Sequence, residues 1–96
     1  MCGRYTGYFE WSSEKRKFLF RQSGKTILYL AGLYREYADG VRFVILTTAA
    51  NASTADVHPR MPVVLEEDML GMWGYDAKFA EGYIRQTMPW MTRVEA

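Results

Sequence analysis

The chain has 96 residues, 49% of them hydrophobic and 24% charged, with a net charge of +1. Those values describe one ordinary globular domain and exclude a disordered or collagen-like chain. No apolar run reaches the roughly 18 residues of a membrane span, and no basic-then-apolar leader opens the chain, so a cytoplasmic protein without a membrane partner is expected. A single cysteine, Cys2, rules out an internal disulfide, and one Cys with one His falls short of a tetrahedral zinc site. No metal and no cofactor are therefore expected. Charge is uneven along the chain. Residues 1–45 hold Arg4, Lys15, Arg16, Lys17, Arg21, Lys25, Arg35 and Arg42 against Glu10, Glu14, Glu36 and Asp39, whereas the remainder is acidic. A basic half can attract a polyanion, and it can equally be a solvated strand surface.

In chain order, the first two-thirds read as strands. Gly7 to Trp11 is short and aromatic, Lys17 to Arg21 mixes polar and apolar residues, and Ser23-Gly24 punctuates the chain. Thr26 to Tyr37 is long and apolar on both faces in its first half. Asp39-Gly40 signals a hairpin, with Val41 to Thr48 as the partner strand. These segments predict an antiparallel meander. Ala49 to Asp56 is small and polar, so it reads as a loop with one helical turn. His58-Pro59-Arg60 is a turn, and Met61 to Leu65 another short strand. Glu66-Glu67-Asp68 places acids where a helix dipole favours them. Asp76 caps a second helix running to Gln86, with Phe79, Ala80 and Tyr83 facing inward. Pro89 ends it, and Thr92-Arg93-Val94 adds a last strand. The fold class is α+β, mainly antiparallel, with the helices late.

Three groups carry candidate chemistry. Removing Met1 from Met1-Cys2-Gly3-Arg4 exposes a cysteine with a free α-amine. That amine titrates near about 7.7–8.0 and a lysine near about 10.4, so at pH 7 its neutral fraction is a few hundred times larger. Such an amine forms a Schiff base with an aldehyde. The neighbouring thiol then closes a thiazolidine on the same carbon, an intramolecular and well-oriented step. Glu10 lies between Phe9 and Trp11. Partial desolvation suits a carboxylate there to general acid and base work, while the alternative is a strand glutamate facing water between inward rings. His58, the only histidine, sits in a proline-bounded turn beside Arg60. An imidazole moves protons near neutral pH and a guanidinium binds phosphate, unless this is an ordinary surface turn.

The chain resembles the SRAP (SOS-response-associated) family in Met1-Cys2-Gly3-Arg4-Tyr5, in Gly7-Tyr8-Phe9-Glu10-Trp11, and in Leu46-Thr47-Thr48-Ala49-Ala50-Asn51 leading to His58-Pro59-Arg60-Met61-Pro62-Val63. Tyr29-Leu30-Ala31-Gly32-Leu33-Tyr34 matches as well. The resemblance covers about residues 1–6 and 7–75. It implies a single domain over 1–96 that forms part of an SRAP-type pseudo-barrel, shortened by a family segment missing between Thr6 and Gly7. That segment carries an active-site asparagine together with arginines and tryptophans that help hold DNA.

The resemblance further implies covalent cross-linking to abasic sites in single-stranded DNA. Cys2 would be the nucleophile, Glu10 would assist ring opening and imine formation, and His58 would handle the sugar hydroxyl and reversal. Arg4 and Arg60 would contact phosphate. The family is also described as cysteine peptidases, through removal of Met1. Two other readings stand beside the first: a Cys–His thiol peptidase, and an inactive fragment serving as a structural or oligomeric module. An extended chain holds Cys2 and Glu10 at most about 27–29 Å apart, and a hairpin between them would bring them together. With the segment absent, open edges and apolar faces lead us to expect a homo-oligomer.

Overall fold

A ten-residue strand organises the molecule. In the computed structural model, which describes residues 2–96 (for Cys2 and Tyr75 the backbone alone), this strand, β4, spans Leu28–Tyr37. It follows β1 (Cys2–Tyr5), β2 (Tyr8–Trp11) and β3 (Lys17–Gln22). After it come β5 (Gly40–Ile45), β6 (Thr47–Ala49), β7 (Arg60–Pro62) and β8 (Val64–Leu65). A 3-10 turn over Glu67–Met69 leads into α1 (Leu70–Tyr75) and α2 (Ala77–Tyr83), and β9 (Met91–Glu95) closes the chain. The α+β class with late helices is as expected.

Every strand pairing is antiparallel, but the order is not that of a meander. β1 does not turn back on β2. It pairs with β4, setting Cys2 opposite Ala31 and Arg4 opposite Tyr29. β2 pairs with β3, whose other edge takes β9. A change of sheet at Thr6–Gly7, and not a hairpin, therefore separates Cys2 from Glu10. Gly7 permits it, because a Cβ there would lie 2.6 Å from the Phe20 carbonyl oxygen. The sheets do not close into a barrel.

Two expected strands are each divided. The run Val41 to Thr48 breaks at Leu46, and Met61 to Leu65 breaks at Val63. Both breaks meet at Ala31. Leu46 N–H donates to the Ala31 carbonyl at 3.0 Å, Ala31 N–H donates to Val63 at 2.9 Å, and Val63 N–H donates to Leu46 at 2.9 Å. The residues between the breaks form a separate ribbon, β6–β7, so a continuous β-prone run serves two sheets. Local propensity marks such a run as extended but says nothing of which partner each half takes.

The core gathers around this junction. Leu28, Leu30, Ala31, Val63, Val64 and Leu65 are all buried. Phe20 and Met91 join from the β2–β3–β9 sheet, Trp73 from α1 and Tyr83 from α2. α2 starts where its cap dictates: the Asp76 side chain accepts from Phe79 N–H at 3.0 Å. It ends at Tyr83, earlier than the expected Gln86, and a turn fills the difference. Tyr83 faces the core, and its hydroxyl donates to the Val64 carbonyl at 2.6 Å. The 130 Å³ cavity lined by residues such as Gln22, Tyr29 and Glu66 has neither Glu10 nor His58 in its wall.

Candidate functional site

The Cys-Gly-Arg-Tyr block is a strand because β4 supplies a partner edge. In that strand Tyr5 folds back over Gly3: a Cβ on Gly3 would meet the Tyr5 ring at 2.5 Å. Only glycine leaves room for that ring. Arg4 is exposed opposite Tyr29. The Cys2 backbone is held opposite Ala31, and its side chain, to which the nucleophile role was assigned, lies outside the described residues.

Strand alternation decides the setting of Glu10. Phe9 and Trp11 point to the outer face of the β2–β3–β9 sheet and are about half exposed. They do not enclose the carboxylate. Glu10 faces the other way, half-buried, with Tyr8 on its own strand and Phe18 opposite it on β3. Its Oε1 accepts from Trp11 N–H at 3.1 Å. Burial pushes the Tyr8 phenol well above its ordinary range, and the Glu10 charge adds to this. Tyr8 thus stays a neutral hydroxyl beside the carboxylate.

On that same inner face, Phe18 is flanked by two guanidinium groups, Arg16 at 5.4 Å and Arg93 at 5.2 Å from the ring centroid. Arg16 pairs with Glu95. Arg93 makes a two-pronged bond to Asp56, at 2.7 and 2.6 Å. Each pair holds its carboxylate below the usual range, through the hydrogen bond first. The Arg93–Asp56 clasp brings the loop before His58 onto the face that carries Glu10. Asn51 fixes the same loop from behind, its amide donating to the Met88 and Pro89 carbonyls at 2.8 and 2.9 Å. Arg93, Asp56 and Phe18 were not singled out from the sequence as site residues. Arg93 and Asp56 are 37 positions apart, and no local pattern links them.

His58 is half-buried at the end of this loop. Its Nδ1 stands 3.1 Å from both the backbone nitrogen and the carbonyl oxygen of Arg60. The tautomer with a bare Nδ1 accepts from that nitrogen, and a ring carrying a proton on Nδ1 donates to that oxygen. In either state Nε2 has no hydrogen-bond partner among the described residues, so one ring nitrogen is available for proton transfer. The Arg60 guanidinium reaches back to Thr47, 2.8 Å to its carbonyl and 3.2 Å to its hydroxyl. That bond sets the direction of an exposed group and leaves its other donors open. No hydrogen bond or ion pair joins Glu10 to His58 among the described residues. Nor do those residues contain a group of three or more His, Cys, Asp or Glu side chains able to hold a metal ion.

Comparison with known proteins gives this geometry a lineage. Residues 4–87 match the model of the SOS response associated peptidase (SRAP) family. The abasic site processing protein YedK of Escherichia coli K12 is 31% identical over an alignment of 75 residues that covers 70% of this chain and 33% of that protein. A crystal structure of a Bacteroides thetaiotaomicron protein superposes with a TM-score of 0.79 at 22% identity, covering 98% of this chain and 47% of that one. The chain thus spans about a third to a half of these relatives, and the last likeness speaks for the fold alone. With the match covering most of its length, the chain belongs to the SRAP family.

Proposed function

We propose that this chain acts on abasic sites in single-stranded DNA and becomes joined to them through Cys2 once Met1 is removed. The opened sugar presents an aldehyde at C1′. The Cys2 α-amine adds to that carbon, and one water leaves to give a Schiff base. Sγ then adds to the imine carbon, a proton passes to the nitrogen, and a thiazolidine closes. Glu10 moves the protons of ring opening and dehydration. His58, through Nε2, serves the sugar hydroxyl, and Arg4 and Arg60 meet the flanking phosphates. On this reading residues 1–96 work as one shortened domain in the cytoplasm, and open strand edges lead it to self-associate.

The observation that carries the proposal is the Arg93–Asp56 clasp, which brings the His58 loop to the Glu10 face of one sheet in a chain of this family. The name of the Escherichia coli relative agrees with it. A second reading, an inert structural module, draws on the fact that the chain spans only part of its relatives.

Intact mass spectrometry after incubation with an abasic single-stranded oligonucleotide separates the two. The expected product is protein without Met1 plus DNA minus one water. Cys2→Ala keeps the amine but not the thiol, so it leaves only a hydrolysable Schiff base and no adduct that survives acid denaturation, and Glu10→Gln slows adduct formation by roughly 100-fold or more. An adduct that persists in Cys2→Ala overturns the chemistry. A folded protein that gives no adduct supports the inert module.

A further inference from the structure

The β4–β5 ribbon ends in an edge whose backbone pattern and charge are complementary to themselves. Among the described residues β5 takes a partner on one side only, β4. Along an antiparallel pair, residues that turn their N–H and C=O groups to the partner alternate with residues that turn them away. Leu46 N–H donates to Ala31, and the same register sets Val44 opposite Leu33 and Arg42 opposite Arg35. Val44 and Arg42 therefore bond inward, and Val41, Phe43 and Ile45 present their backbone groups outward. No proline blunts this edge. The one charge of β5, Arg42, is folded back over the Tyr37 ring, 4.6 Å from its centroid, and is paired to Asp39. The Phe43 ring leans toward β4, where a Cβ on Gly32 would lie 2.3 Å from it.

We propose that two copies of this chain pair through β5, antiparallel about a two-fold axis at Phe43, to give a continuous sheet β4–β5–β5–β4. An axis normal to the sheet must set outward residues against outward residues. Centred on Phe43 it matches all of them: Phe43 meets the partner's Phe43, and Val41 meets the partner's Ile45 at either end. Each such pair exchanges two N–H···O bonds. Arg42 then stands opposite the partner's Val44, so no like charges meet. Centring on Arg42 would set two guanidinium groups against each other, and centring on Val44 would leave Val41 without a partner in β5. The outer edge of β4 is a poorer choice. β1 occupies it up to Ala31, and it continues through Gly32, which weakens a strand. β-Branched and aromatic residues suit the new cross-strand positions, and a four-stranded sheet removes the weakness of an isolated ribbon. This deepens the self-association in the proposed function by naming its edge and register, and it rests on strand geometry rather than on cross-linking.

The test is sedimentation velocity of the full chain without DNA over a dilution series, which should show a monomer–dimer equilibrium. Val44→Arg sets a guanidinium opposite the partner's Arg42 twice per dimer and should raise the dissociation constant roughly 2- to 30-fold. Adding Arg42→Glu to Val44→Arg makes both pairs opposite in sign and should restore dimerisation, a rescue specific to this register. Val41→Pro removes an outward N–H and spares the bonds to β4, and should raise the constant roughly 5- to 150-fold. Should a variant fail to fold by circular dichroism, hydrogen exchange on the unaltered chain decides. The Val41, Phe43 and Ile45 amides should gain protection with concentration, while those of Arg42 and Val44 are protected throughout. A monomer at every concentration overturns the proposal. So do assemblies larger than a dimer, or a folded double variant that fails to rescue. Because no abasic DNA is present, cross-linking can fail while the dimer stands, and the reverse.

Discussion

β4 is one strand with two fates. Leu28, Leu30 and Ala31 are 0–1% exposed, whereas Leu33 and Tyr34, a few residues on, are 53% and 59% exposed. The two halves are similarly apolar where they meet. What differs is their surroundings. β1 and β8 both pair with Tyr29 and Leu30, so they occupy opposite edges of the first half. Among the described residues the second half pairs only with β5 and projects as a two-stranded ribbon, with Val41 and Val44 also exposed. Burial here follows from the number of layers the topology supplies. A ribbon without a third strand or a covering element is marginal alone and leaves its edges open.

The contrast can be broken most forcefully in the covered half. Leu30→Ala should cost about 2–5 kcal/mol in urea unfolding, because the site is enclosed on both faces and can collapse little. A loss under about 1 kcal/mol would mean that the junction is looser than its hydrogen bonds indicate.

A smaller effect is expected one layer out, where Tyr83 bonds the Val64 carbonyl that overlies this half. Tyr83→Phe should cost about 0.5–1.5 kcal/mol. It also carries a pH signature. Burial raises the Tyr83 phenol above its ordinary range, so its contribution is present in full below about pH 10 and lost as pH rises beyond. The melting temperature of Tyr83→Phe should therefore fall less steeply above that pH than the wild type. Part of the slope remains, since Tyr8 is shifted the same way. An unchanged alkaline slope would remove Tyr83 from the account.

The smallest change belongs to the projecting half. Leu33→Ser and Tyr34→Ser should shift stability by no more than about 0.5 kcal/mol, as exposed side chains usually do. Either reaching the cost of Leu30→Ala in dilute protein would show that the ribbon is covered, and sedimentation of the same samples would tell whether a second copy covers it.

Much was legible along the chain. The hairpin at Asp39-Gly40 was, because Gly40, at φ 135°, takes a backbone angle that favours glycine. The Asp76 cap and the last strand were, because each follows from residues within one turn or one pleat. Glu10 shows where such reading stops. Its aromatic neighbours suggested a shared environment, yet alternation sends Phe9 and Trp11 to the opposite face.

The motif blocks by themselves determined the family, and local chemistry determined which residues extend, turn or coil, since those preferences act over a few bonds. Only the tertiary structure decided that β1 leaves β2 for β4, that two continuous runs divide at Ala31, and that Arg93 clasps Asp56. These choices depend on which distant edges and charges meet in space. A one-dimensional pattern carries no term for that, because the free energy of each pairing is shared between partners tens of residues apart.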